Sequence, residues 1–79
     1  MKLYWLTLKV QQANVIAESI VKDQDLKLEV YGNIQKYAGS FVKHLGEAML
    51  VADPINLYVL IMAFMPYFID YLPKSKQND

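Results

Sequence analysis

A chain of 79 residues without cysteine is one domain at most, with no disulfide or thiolate metal site to reinforce its small core. Eight lysines balance eight acidic residues and arginine is absent. The chain therefore lacks both the footprint of a nucleic-acid binder and the polybasic charge that anionic membranes attract. Apolar residues make up 54% of the chain; this excludes disorder and points to oligomerisation or a partner chain to cover what a small interior cannot hold.

Residues 3–21 carry two overlapping patterns. Leu3, Leu6, Val10, Ala13, Ala17 and Ile20 recur at spacings of three and four, one face of an amphipathic helix. Tyr4, Leu6, Leu8 and Val10 alternate, as in a strand. The helix is favoured because its spacing continues through Ile20, where alternation fails. Lys9 interrupts the opening apolar stretch and no small-residue cleavage site follows, so a signal peptide is not expected and the expected location is cytoplasmic.

Asp23-Gln24-Asp25 is a polar break, and either aspartate suits an N-cap. Leu26-Lys27-Leu28-Glu29-Val30 alternates as a short strand would, yet Leu26, Val30, Ile34, Tyr37, Phe41 and Leu45 continue at helical spacing. A sheet built only from residues 3–10 and 26–31 would be marginal. The expected fold is an all-α bundle of three to five helices, with α+β as the alternative.

Gly32-Asn33 is a turn signal, with Asn33 placed to cap a helix from Ile34. Gly39-Ser40 is expected to interrupt that helix, with Ser40 capping a fresh start. Phe41, Leu45, Ala48 and Ala52 then share one face, with Lys43 and Glu47 on the wetter side. Gly32, Gly39 and Gly46 stand seven apart. On one continuous helix they would form a small-residue stripe; a turn glycine with two incidental ones is the plainer expectation.

Asp53-Pro54 predicts a helix start, because aspartate caps and proline at the first helical position forfeits no hydrogen bond. The helix runs to the neighbourhood of Met65, where Pro66 bends or stops it. A short helix from Pro66 to Leu72 follows, and Pro73 ends it. Residues 1–73 form one expected domain and residues 74–79 a polar tail.

From Pro54 to Ile69 there are sixteen residues without a charge. A helix with no wet face is buried centrally or lies in a membrane. A spanning helix needs about 20 predominantly apolar residues, and this segment is shorter, broken by Pro66 and bounded by Asp53 and Asp70. It is therefore expected at the centre of the bundle, with one face available to a partner. The candidate interface residues are Trp5, Tyr58, Met62, Met65, Tyr67, Phe68 and Tyr71, since aromatic residues bury large area while keeping a polar tip. His44 and Glu47, three apart, could face one another, but catalysis also needs a nucleophile and an oriented pocket, and Ser19 and Ser40 carry no elbow glycine pattern. No phosphate loop, calcium loop or zinc-ligand set is present. No catalytic residue, metal or cofactor is expected.

Residues 41–71 bear a resemblance. Leu45-Gly46-Glu47-Ala48, Ala52-Asp53 with Asn56, and Phe64 followed by Met65-Pro66-Tyr67-Phe68 resemble the C-terminal half of small uncharacterised proteins of bacterial and phage genomes. In those proteins the closing element is aromatic-proline-x-tyrosine-aromatic; here Met65 stands between Phe64 and Pro66. The resemblance implies a helical fold and a mobile-element origin, and no activity. The expected function is a non-catalytic interaction module, acting as a homodimer or by docking on, or inhibiting, a host protein. A nucleic-acid-associated or membrane-associated small protein are the alternatives.

Overall fold

The structure, a computed structural model, describes residues 10–73. Five helices and a closing turn follow one another with minimal linkers: α1 (Val10–Lys22), α2 (Gln24–Tyr37), α3 (Ser40–Val51), α4 (Pro54–Ala63), α5 (Met65–Phe68) and a 3-10 turn (Ile69–Tyr71). Among the described residues there is no strand, and the fold is all-α. The alternation at Leu26–Val30 lies inside α2, whose packing uses Leu26, Val30 and Ile34. Residues 3–9 of the helix-or-strand stretch lie outside the described residues.

The capping chemistry sets most boundaries. Asp23 alone separates α1 from α2, and its carboxylate accepts from the amides of Asp25 at 3.0 Å and Leu26 at 3.2 Å. Asp53 caps α4 by accepting from the Asn56 amide at 2.8 Å, with Pro54 in the first turn. These bonds satisfy amides that have no partner within their own helix.

Two local expectations fail. Gly32-Asn33 makes no turn but lies within α2. Burial of Leu26, Val30 and Ile34 along one face outweighs the helix cost of one glycine, about 1 kcal/mol. Asn33 caps nothing; its side-chain amide donates to the Tyr71 carbonyl at 3.0 Å, 38 residues away. Ser40 is the first residue of α3 and not its cap. Gly39 holds the cap position in extended backbone, without a side-chain bond.

The break at Ala38-Gly39 also resets the helical phase. Tyr37 and Phe41, expected to extend the buried face of α2, are 69% and 54% exposed. α3 instead buries Gly46 and Met49, with Val42 and Leu45 packed alongside. The three glycines therefore share no stripe, but Gly46 is not incidental. It is buried, and a Cβ added there would lie 3.0 Å from Cγ2 of Ile34.

The main packing runs α4 on α1, α1 on α2 and α2 on α3. α4 is thus a flank of the bundle and not its centre, which corrects the placement expected from its composition. It buries Leu57 and Ile61 and leaves the opposite side open. The middle is filled by Ala17 and Ile20 of α1, the α2 face, Met49, and four residues of the closing segment: Met65, Phe68, Ile69 and Leu72. The last aromatic turn therefore closes the protein's own core. α4 ends at Ala63, one turn before the proline, and the segment after it leaves at 86°. Among the described residues no single helix is long and apolar enough to cross a membrane; the α4 pair with residues 65–71 qualifies only when both halves are taken together across that bend.

Candidate functional site

The only paired histidine and carboxylate face each other as their spacing implies. His44 Nδ1 lies 3.3 Å from Glu47 Oε1, and both side chains are exposed on α3. An exposed pair of this kind lacks the desolvated pocket in which acid–base groups are tuned. Among the described residues no cluster of histidine and carboxylate side chains could hold a metal ion.

Each of α1 to α4 exposes large apolar side chains, Val15, Leu28 and Leu50 among them, and two groups of apolar residues lie together at the surface. The first is aromatic. Phe41 at the start of α3 meets Tyr67 of α5 edge-on, with ring centroids 5.5 Å apart, and meets Phe64 at 6.2 Å in the same manner. Phe64 and Tyr67 are 6.3 Å apart. Edge-to-face geometry at these distances is favourable, so the trio is self-supporting despite its exposure. Tyr37 and Tyr71 line an open depression of about 420 Å³ between α2 and the closing segment, with Glu29, Asn33 and Asp70 on its other walls.

The second surface is aliphatic. On α4, Ile55 and Val59 are 77% and 57% exposed, and Ala63 is exposed one turn further on. Residues spaced by four lie above one another on a helix, so these three form one continuous stripe. Val51, at the end of α3 and just before the corner, is 86% exposed. No charged residue interrupts α4. Asp53 at its start is held in the cap, where Asn56 bonds it through both the backbone and the side-chain amide. Single exposed apolar residues are ordinary on a protein surface, whereas contiguous ones mark interaction sites.

The expected interface residues divide accordingly. Met65 and Phe68 are buried in the core, because the 86° bend turns that part of the segment off the line of α4 and into the bundle, and they offer nothing to a partner. Tyr58 is half-buried, its hydroxyl donating to the Asn14 side-chain oxygen of α1. Met62 is half-buried against the core. Tyr67 and Tyr71 stand at the rim, Tyr67 in the aromatic trio and Tyr71 in the depression. Trp5 lies outside the described residues.

Val51, Ile55, Val59, Tyr37 and Phe41 were not anticipated. One signal pointed to Ile55 and Val59. A ten-residue helix that is apolar on every side needs neighbours all round it, and a chain of 79 residues has too few other helices for that. Searches for matching protein-family models, curated proteins and solved structures find none.

Proposed function

We propose that this protein is a non-catalytic protein–protein interaction module, acting as a homodimer or by docking on another protein. The observation that carries this reading is the uncharged aliphatic stripe of α4, open to solvent and outside the buried core that the described residues form. A contiguous apolar surface left outside that core is explained by something that covers it. The resemblance of residues 41–71 to small phage and bacterial proteins favours an accessory role, docking on or inhibiting a host protein. Lysines without arginine and a balanced charge favour a protein partner over nucleic acid.

Affinity capture from producing cells tests the reading, with the wild-type chain beside an Ile55→Lys, Val59→Lys double variant. The wild type is expected to retain a specific protein, either its own untagged copy or another chain, and the double variant is expected to lose it. Retention of nothing specific, or of the same proteins by both, would overturn the proposal.

A further inference from the structure

The depression between α2 and the closing segment shares no residue with the α4 stripe. We propose that it binds the side chain of an arginine carried by a partner protein. Glu29, Asn33 and Tyr37 stand at i, i+4 and i+8 and line it along one ridge of α2. That ridge is about 12 Å from first residue to last. Its one end is anionic, at Glu29, and its other end is aromatic, at Tyr37. Tyr71 and Asp70 stand on the facing wall, and no lining residue is basic. A long basic side chain has the same order of parts, an apolar stem that ends in a charged head. Its stem lies along the tyrosine rings and its head reaches the Glu29 carboxylate.

Hydrogen-bonding capacity selects the head group. The Asn33 side-chain nitrogen donates to the Tyr71 carbonyl at 3.0 Å, which holds the closing turn against α2 and fixes the amide's orientation. The Asn33 side-chain oxygen and the Glu29 carboxylate have no bonding partner among the described residues. Both accept and neither donates, whereas a guanidinium donates and never accepts. An anion would be repelled by the acidic walls, and an apolar ligand would strip them of water. The Tyr37 ring already attracts one cation, with Lys36 Nζ 5.3 Å from its centroid. The residue is still 69% exposed, so ring surface remains for a second. A planar guanidinium stacks on such a ring and gives up water more readily than an ammonium does. This chain contains no arginine, so the ligand belongs to another molecule.

Titration of the full chain with three end-blocked tripeptides, glycine-X-glycine with X as arginine, lysine or citrulline, tests this by NMR. The arginine peptide is expected to shift the side-chain amide of Asn33 and the backbone amides of Glu29 and Tyr37 along one saturable curve. Citrulline keeps the shape of arginine without its charge, and its peptide is expected to bind about tenfold more weakly, the worth of a charged hydrogen bond. The lysine peptide is expected to fall between the two. Glu29→Gln should weaken the arginine peptide by a similar factor, and Tyr37→Ala by about two- to fivefold. Both positions are exposed, and circular dichroism reports whether each variant keeps the fold. Absence of saturable shifts at these residues overturns the proposal. So does equal binding of the citrulline or lysine peptide, or an unchanged affinity in folded Glu29→Gln. The peptide series on the wild type decides the matter even where a variant does not fold. No outcome here bears on the α4 stripe, whose test changes Ile55 and Val59.

Discussion

Gly46 lies where α3 packs closely against Ile34 and Gln35 of α2. A methyl group there would stand 3.0 Å from Cγ2 and 3.6 Å from Cβ of Ile34, and 3.4 Å from the side-chain nitrogen of Gln35. Ile34 is fully buried, and a β-branched side chain has few rotamers to retreat into. Alanine gains up to about 1 kcal/mol of helix propensity over glycine, but overpacking a close contact costs about 1–3 kcal/mol. Gly46→Ala is therefore expected to lower stability by about 1 kcal/mol in urea unfolding. Gly32 is the opposite case, since nothing lies within 4 Å of its added Cβ. Gly32→Ala should stabilise by about 0.5–1 kcal/mol, read as a rise in Tm of a few degrees. The two substitutions are chemically identical and differ only in what stands across from them. That difference comes from α2–α3 packing, so the seven-residue spacing of the glycines did not contain it.

At the scale of elements, Asp53 defines the start of α4. Asp53→Ala removes the bonds from the Asn56 amide at 2.8 Å and from its side-chain nitrogen at 3.0 Å. A loss of about 1 kcal/mol is expected in urea unfolding, the usual worth of an N-cap side chain. This boundary and the one at Asp23 were legible in the sequence because a cap acts within three residues. Gly32-Asn33 misled for the converse reason. Its outcome depends on Tyr71, far along the chain, whose carbonyl takes the Asn33 side chain. The phase reset at Ala38-Gly39 was equally hidden. Two residues of extended backbone were enough to carry Phe41 out of the buried face that Leu26, Val30 and Ile34 share, while Tyr37, still inside α2, is exposed at that helix's end. For α4, composition identified the apolar helix correctly but not its place. A helix apolar all round gives no azimuthal preference, so only the actual neighbours decide which side stays open.

At the scale of the whole molecule, the question is whether the fold and the exposed stripe are separable. Two substitutions divide them. Phe68 is fully buried where the closing segment fills the middle of the bundle. Phe68→Ala should cost about 3–5 kcal/mol through lost burial and the cavity left behind. At roughly 0.05–0.15 kcal/mol per residue, a chain of 79 residues has a total stability on the order of 4–12 kcal/mol. The variant should lose much or all of its cooperative transition. Val51, at 86% exposure, contributes little to that core, so Val51→Lys should change stability by no more than about 0.5 kcal/mol. Urea unfolding of both variants at low protein concentration makes the comparison. The expected result is a collapsed transition for Phe68→Ala and a curve for Val51→Lys that superimposes on the wild type. If Val51→Lys instead lost stability as a core variant does, and the wild-type midpoint rose with protein concentration, folding and association would be one coupled process. The aliphatic surface would then belong to the fold of an obligate assembly, whereas a concentration-independent midpoint identifies a monomer that folds first and presents α4 afterwards.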